Sequence, residues 1–337
     1  MARDRIEHPS TRPVVTDLGS DVTVPIPTAM RAAVRSMSVD RAVLEVIPRL
    51  RDAGIPSILL KGASHARWLY DDPDERTYAD CDLLVPPSDA ERAESVLAGA
   101  GFVRRGFESV VRDRPHYGFP LWRADNVSID LHTTFLGINA PPDRVWHTLE
   151  ARTQAMPLAG DQVPVLDPVA RALVLVLHAA KDGGKREGRG SKAIRDLELA
   201  VDRIPVEDWR RTAELATELD ALEAFAAGLR RIEPGALLAG DLELSDRMSP
   251  EVALRLQQPP PLAVGVDWMM HDATPTEGLR LAARKLLPPP AYMRAWSPLA
   301  RRGNLGLALA YVSRPFWVAW KLIPAIRAAR QARRAAR

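Results

Sequence analysis

The chain has 337 residues, of which 46% are hydrophobic and 26% are charged. This composition is typical of a folded globular protein, excludes a disordered or fibrous chain, and leaves room for two domains. The single cysteine, Cys81, excludes an intrachain disulfide and a cysteine-based zinc site, which favours a reducing, cytoplasmic setting.

Basic residues are concentrated at the C-terminal end of the chain. The net charge is +3, yet no acidic residue follows Glu277 and thirteen basic residues do, so the rest of the chain is net negative. A basic end on an acidic body predicts an anionic partner or a membrane face. The thirteen residues are Arg280, Arg284, Lys285, Arg294, Arg301, Arg302, Arg314, Lys321, Arg327, Arg330, Arg333, Arg334 and Arg337.

The N-terminal half is predicted to be a mixed α/β layer behind a polar leader. Residues 1–26 are polar and lack the apolar core of a signal peptide, which predicts a flexible leader. Between residues 27 and 165, strand-length apolar runs alternate with helical periodicity. Ser88, three residues before Glu91, predicts a capping box. The predicted helices cover residues 28–52, 63–70 and 88–101, and the predicted strands cover residues 57–60, 79–85, 101–105, 116–123 and 127–135.

Beyond residue 166 the pattern is helical. Helices predicted over residues 168–180, 191–201 and 206–233 indicate a helical domain over residues 166–290. Residues 291–337 follow as a basic amphipathic tail, in which Arg314 and Lys321 make a membrane span unfavourable. Its tryptophans and arginines suit a helix that lies on an anionic membrane or on RNA phosphates, and packing on the protein body is the alternative.

The chemistry is concentrated on two predicted strands. Side chains alternate along a strand, so Asp80 and Asp82 point to one face and Cys81 points to the other. Asp130 projects from a second apolar strand, between Ile129 and Leu131. If the strands are neighbours, the carboxylates converge and can hold two Mg²⁺ (or Mn²⁺) ions about 3.5–4 Å apart for an in-line transfer at phosphorus. Asp130 would then bind metal or accept a proton from the acceptor hydroxyl.

A phosphate-binding turn is predicted where the first strand meets a helix. Gly62 allows a ligand to approach the backbone closely, and Lys61 supplies a point charge. Ser64 supplies a hydroxyl donor, and amides at a helix start attract anions. This combination suits the β- and γ-phosphates of a nucleoside triphosphate.

These motifs resemble a known family. The matching residues are Leu60-Lys61-Gly62-Ala63, Leu69-Tyr70, Asp72-Pro73, Arg76, Asp80-Cys81-Asp82-Leu83-Leu84-Val85, Ala90, Leu97, Gly101-Phe102 and Asp130-Leu131-His132. They are similar to the uncharacterised bacterial nucleotidyltransferase family of the DNA polymerase β superfamily, over about residues 40–200. The resemblance implies a polymerase β-like mixed sheet with flanking helices, metal carboxylates at Asp80, Asp82 and Asp130, and a phosphate turn at Gly62 and Ser64. Here Ala63 separates Gly62 from Ser64, so Lys61 carries more of the expected contact.

Further candidates were weighed against purely structural roles. Arg76 is a triphosphate contact or a surface-loop arginine. His132 orients Asp130 or contacts the acceptor, His116 lines the same cleft, and His178 is a third candidate for such a contact. The alternative for each is a structural histidine. In the helical half, the basic loop over residues 183–190 and its neighbours are phosphate contacts, or a solvated connection with an interhelical Asp–Arg pair. Those neighbours are His178, Lys181, Lys192, Arg195 and Asp196.

The sequence therefore predicts an enzyme that transfers a nucleoside monophosphate from a nucleoside triphosphate to an acceptor and releases pyrophosphate. The acceptor class stays open between a small molecule, a peptide or protein, and a tRNA end. Two alternatives remain: a non-catalytic nucleotide-binding or membrane-docking protein on the same fold, and kinase-like transfer of the γ-phosphoryl group.

Overall fold

The computed structural model describes residues 27–105, 119–181, 192–256, 260, 262–271 and 274–335. The predicted leader, His116 and the basic loop over residues 183–190 lie outside these ranges.

A six-stranded mixed sheet forms the centre of the N-terminal half, in the order β3-β4-β2-β1-β6-β5. The β2–β4 and β1–β6 pairs are parallel, and the other neighbours are antiparallel. The strands are β1 (Ile58–Leu59), β2 (Asp80–Leu84), β3 (Phe119–Trp122), β4 (Ser128–His132), β5 (Thr153–Leu158) and β6 (Asp161–Leu166). The predicted mixed sheet with flanking helices is confirmed.

Helices flank the sheet and make up the rest of the described chain. They are α1 (Thr28–Asp52), α2 (Ala63–Leu69), α3 (Ala90–Gly99), α4 (Pro142–Glu150), α5 (Pro168–Lys181), α6 (Lys192–Arg203), α7 (Val206–Glu218), α8 (Leu222–Leu229), α9 (Glu233–Asp241), α10 (Pro250–Leu256), α11 (Ala263–His271), α12 (Pro275–Leu286), α13 (Pro290–Trp296) and α14 (Gly303–Ala335). None of the described helices is both long and apolar enough to cross a membrane. The domain boundaries drawn at residues 165 and 290 stay a prediction.

Two hydrophobic cores cover the two faces of the sheet. One joins α1 and α3 to side chains such as Cys81, Leu83 and Ile129. The other joins Leu60 and Leu84 to the helical half through α5, which is almost entirely buried. Since Cys81 packs in the first core, the aspartates beside it on β2 are turned toward the second, where α5 lies.

Several local predictions need correction. The expected strand over residues 101–105 is reduced to a single bridge between Val103 and Trp122. The capping box at Ser88 is wrong, because Pro87–Asp89 forms a 3₁₀ turn and α3 starts only at Ala90, with no side-chain cap.

The single helix predicted over residues 206–233 is also wrong. The chain turns between α7 and α8, where Asp220 has a positive φ of 52° and Ala221 N–H donates to the Ala216 carbonyl. Both helices pack on the same core, so the apolar pattern continues across the break and hides it. The β5–β6 hairpin, which turns at Ala159 and Gly160 with positive φ at both, and helix α4 were not predicted.

Candidate active site

The site lies on adjacent parallel strands. β2 and β4 pair so that Asp82 is directly beside Asp130, and Leu84 is beside His132. Neighbouring residues in register point to the same face of a sheet, so Asp82, Asp130 and His132 share one face. Their ligand atoms all lie within 4.8 Å of one another. We call these three residues and Lys61 the carboxylate cluster.

Asp82 is the buried centre of this cluster, with an exposed fraction of only 3%. The Lys61 ammonium lies 2.9 Å from its Oδ1, and His132 Nε2–H donates to the same oxygen over 2.9 Å. Burial by itself would raise the pKa of Asp82, but Lys61 and His132 hold this pKa far below its ordinary value. Asp82 is therefore ionised at neutral pH.

Asp130 is electrostatically different from Asp82, although the two are aligned. Burial and the nearby Asp82 charge raise the pKa of Asp130 to about 6. His132, two residues further along β4, is stacked on Phe135 with ring centroids 5.9 Å apart, which fixes the imidazole. The cluster thus pairs a carboxylate whose pKa is strongly lowered with one whose pKa is raised.

Asp80 lies at the exposed outer end of β2, in register with Ser128. Among the described residues, it is not part of the group whose ligand atoms lie within 4.8 Å. The pKa of Asp80 is raised above its ordinary value. Desolvation and the Asp82 charge cause the rise, and the charges of Lys61 and Lys192 offset only part of it. Asp80 therefore interacts electrostatically with the carboxylate cluster. That Asp80 binds the same metal ions as Asp82 and Asp130 stays a prediction.

The turn after β1 presents Lys61 to the carboxylates. Gly62 has φ 64° and ψ −113°, a backbone conformation that favours glycine, and a Cβ there would be in tight contact with the Tyr78 ring at 3.3 Å. Ser64 is fully buried, and its Oγ has no hydrogen-bond partner among the described residues. Helix α2, only seven residues long, makes no phosphate site by itself, so Lys61 carries the charge at this turn.

Arg76 belongs to a second, sealed cluster, which we call the ion-pair cluster. Its guanidinium donates to both carboxylate oxygens of Asp196 over 2.7–2.9 Å and to the Gly62 carbonyl over 3.2 Å. The Tyr70 hydroxyl donates to Asp196 over 2.8 Å, and His65 Nδ1 lies 3.6 Å from it. The surface-loop interpretation of Arg76 is wrong, since the residue is buried; a triphosphate contact stays a prediction.

The helical half also contributes to the site. His178 on α5 has its pKa lowered to about 3, first by the charge of Lys61 and then by burial, so a neutral imidazole lies beside the lysine. Lys192 at the start of α6 donates to the Thr77 carbonyl over 2.7 Å, and Lys181 is exposed at the end of α5. Nucleotide contacts by these two lysines stay predictions.

Sequence reasoning missed the roles of Asp196 and His65. An Asp–Arg pair was considered for this region, but its arginine partner, Arg76, lies 120 residues away, and no local pattern connects the two. The available signal was chemical. Asp196 stands on the apolar face of an amphipathic helix, where a carboxylate requires a buried cation.

The donor set of the carboxylate cluster fits a divalent cation. The two carboxylates suit Mg²⁺ or Mn²⁺ with additional oxygen ligands from a phosphate, and His132 lies within reach of the same position. Burial and then the Asp82 charge raise the pKa of Asp130, and a cation bound between the two carboxylates would lower this cost of ionisation.

Residues 28–233 match the family described as uncharacterised nucleotidyltransferases. The chain belongs to this family. It is therefore a nucleotidyltransferase, as the resemblance of its motifs implied. No functionally curated protein matches the chain.

Two solved structures are similar to this nucleotidyltransferase. The antibiotic-resistance factor ANT(2'')-Ia, in its solution structure, is 18% identical with a TM-score of 0.40, over 56% of this chain and 96% of that chain. An antigenic nucleotidyltransferase-like protein from Paracoccidioides brasiliensis is 18% identical with a TM-score of 0.32, over 57% of this chain and 92% of that chain. Likenesses this distant say nothing about the substrate of this chain.

Proposed function

We propose that this enzyme transfers a nucleoside monophosphate from a nucleoside triphosphate to an acceptor hydroxyl, with pyrophosphate as the second product. The observation that carries the proposal is the in-register pair of Asp82 and Asp130, with His132 within 4.8 Å. A purely structural pair of adjacent carboxylates would be unfavourable, because each raises the other's cost of ionisation.

The cluster divides the chemical tasks among its residues. Asp82 and Asp130, with His132, would hold a divalent cation, and the second ion that we expect would draw on Asp80. When bound, the cations supply charge neutralisation and align the reacting oxygens. Lys61 balances negative charge on the departing pyrophosphate, and Lys181 and Lys192 extend this positive field toward the nucleotide.

The bond changes follow from these positions. The acceptor oxygen forms a bond to the α-phosphorus, the bond from that phosphorus to the bridging oxygen breaks, and pyrophosphate leaves with the electron pair. The hydroxyl proton passes to a carboxylate oxygen of Asp130.

Calorimetric titration tests the nucleotide site without knowledge of the acceptor. The purified protein is titrated with ATP, GTP, CTP and UTP, with and without Mg²⁺, and compared with Asp82→Asn. We expect metal-dependent binding of at least one nucleotide, weakened roughly a hundredfold by the substitution. The matched control is Asp161→Asn, an exposed aspartate on β6 of the same sheet. Equal binding by wild type and Asp82→Asn would refute the proposed site.

The products distinguish nucleotidyl transfer from its alternatives. Incubation of the preferred nucleotide with candidate acceptors should release pyrophosphate and add the mass of a nucleoside monophosphate to the acceptor. Release of a nucleoside diphosphate with a phosphorylated acceptor would instead establish kinase-like transfer. Binding with no turnover across small-molecule, peptide and tRNA acceptors would favour the non-catalytic alternative.

A further inference from the structure

Apart from the buried Arg314, helix α14 buries small residues and leaves several large apolar side chains exposed. Its buried positions toward the neighbouring helices include Gly306, Ala310, Ala325 and Ala329. A Cβ at Gly306 would lie 2.2 Å from the Leu299 carbonyl oxygen, so the packing there admits only glycine. Leu307 and Trp317 are partly buried, and most of the other large apolar side chains of α14 are left on the opposite, outer face.

This outer face carries a continuous apolar stripe. Six large residues, each 49–76% exposed, follow one another at spacings of three or four, which places them on one side of the helix. They span eighteen helical positions, or about 27 Å. The residues of this stripe are Leu305, Leu309, Val312, Phe316, Trp320 and Ile323. Exposed apolar patches of this extent mark interaction surfaces.

Exposed arginines continue the stripe at both ends. Arg301 and Arg302 precede it, and Arg327, Arg330 and Arg334 follow it at the same helical spacing. No acidic residue occurs after Glu277, so these charges have no acidic neighbour within the helix.

The charges select the class of partner. Two copies of α14 packed against each other, parallel or antiparallel, would bring arginines against arginines, since the helix contains no acidic residue. An anionic bilayer suits both features. The apolar stripe can be buried at the boundary of the acyl chains, and the arginines can bind the phosphate head groups.

We propose that the outer face of α14 docks this enzyme on the surface of an anionic phospholipid membrane. The apolar stripe enters the boundary between head groups and acyl chains, and the flanking arginines bind lipid phosphates. The helix lies in the plane of the membrane, in keeping with the finding that no described helix is able to span it. This inference does not depend on the proposed chemistry of the carboxylate cluster.

Vesicle co-sedimentation of the full chain tests the proposal. Wild type is expected to sediment with vesicles of phosphatidylcholine mixed with phosphatidylserine, and far less with phosphatidylcholine alone. Phe316→Ser/Trp320→Ser should weaken binding to the mixed vesicles roughly fiftyfold. Arg327→Gln/Arg330→Gln should weaken it about thirtyfold, and high salt should have the same effect on wild type.

Matched controls lie on the other helices. Leu237→Ser, an exposed leucine on α9, and Arg210→Gln/Arg211→Gln, exposed arginines on α7, should leave vesicle binding within about twofold of wild type. Asp82→Asn should bind vesicles normally, which separates a failure here from a failure of the proposed function.

Three results would overturn the membrane proposal. The first is wild type found only in the supernatant with mixed vesicles. The second is self-association in sedimentation equilibrium that Phe316→Ser/Trp320→Ser abolishes, which would assign the stripe to a second copy of the chain. Binding of a labelled single-stranded RNA with no vesicle association would assign the arginines to RNA.

Discussion

The carboxylate cluster and the ion-pair cluster contain the same kinds of residue, since each combines aspartate, histidine and a basic side chain. In the ion-pair cluster, Asp196 receives two guanidinium nitrogens and a tyrosine hydroxyl, and it is closed off from solvent. In the carboxylate cluster, one lysine faces two neighbouring aspartates, and Asp130 and His132 remain partly exposed.

The difference separates charges that hold the fold from charges that are available for a ligand. Matched, bidentate contacts satisfy Arg76 and Asp196 and join the turn at Gly62 to helix α6. The carboxylate cluster keeps a surplus of negative charge, which a cation and a phosphate can use. Substitutions should therefore affect mainly stability in one cluster and mainly activity in the other.

The largest effect on stability is expected for Asp196→Asn. The substitution leaves the buried Arg76 guanidinium without its counter-charge, so the free energy of unfolding should fall by about 3–5 kcal/mol. Urea denaturation followed by circular dichroism measures this change. Glu207→Gln, which removes the partner of exposed Arg210, is the control and should cost less than about 1 kcal/mol. A loss for Asp196→Asn no larger than that of the control would contradict the assigned role of the ion-pair cluster.

The opposite result is expected for Asp130→Asn. Burial and Asp82 raise the pKa of Asp130 to about 6, which means that its ionised form is unfavourable in the folded protein. Neutral asparagine should therefore raise the unfolding free energy in EDTA by about 1 kcal/mol at pH 7, while nucleotidyl transfer is lost. Chemical denaturation and pyrophosphate release on the same samples check both statements. A destabilised or active variant would place Asp130 in a structural role.

Local sequence pattern predicted the carboxylate cluster because its determinants are local. Alternation along β2 places Asp82 opposite Cys81, and the apolar neighbours of Asp130 predict the second strand. That the two strands are neighbours was a condition in the sequence argument, and the structure supplies it. Burial of Ser64 was not predicted, since it depends on packing between elements that are distant in sequence.

The ion-pair cluster and helix α14 show why the rest escaped prediction. Arg76 and Asp196 meet only through tertiary packing across 120 residues, and no periodicity relates them. In α14, apolar residues occur around the helix, so the sequence alone does not show that alanines face inward and Phe316 and Trp320 face outward.

The ion-pair cluster should also make stability depend on pH. Burial and then the Arg76 charge lower the pKa of His65 from its ordinary value of 6.5. Just below pH 6.5, His65 therefore binds a proton in the unfolded chain but stays neutral in the native protein. The contribution of His65 to the free energy of unfolding is therefore complete above pH 6.5. Below pH 6.5 it falls as the pH decreases, by up to roughly 1.4 kcal/mol per pH unit. His65→Gln should remove the part of this slope that corresponds to one bound proton. Equal slopes for wild type and variant between pH 6.5 and 5 would show that His65 is protonated in the native state.

The smallest effect is expected at Lys192, which lies between the two clusters. The pKa of Lys192 is lowered by desolvation and then by Arg76, and Asp80 and Asp196 offset part of this shift. Lys192 therefore interacts electrostatically both with Asp80, near the active site, and with the Arg76–Asp196 ion pair. Lys192→Met removes one hydrogen bond to the Thr77 carbonyl and should cost less than about 1 kcal/mol of stability. If Lys192 contacts the nucleotide, KM for the nucleoside triphosphate should rise roughly fivefold with kcat nearly unchanged. Arg195→Met, an exposed position one turn along α6, is the control. An unchanged KM together with a stability loss of several kcal/mol would show that Lys192 acts only as part of the ion-pair cluster. Lys192 would then not contact the nucleotide, and Lys61 would be the basic residue at the edge of the nucleotide site.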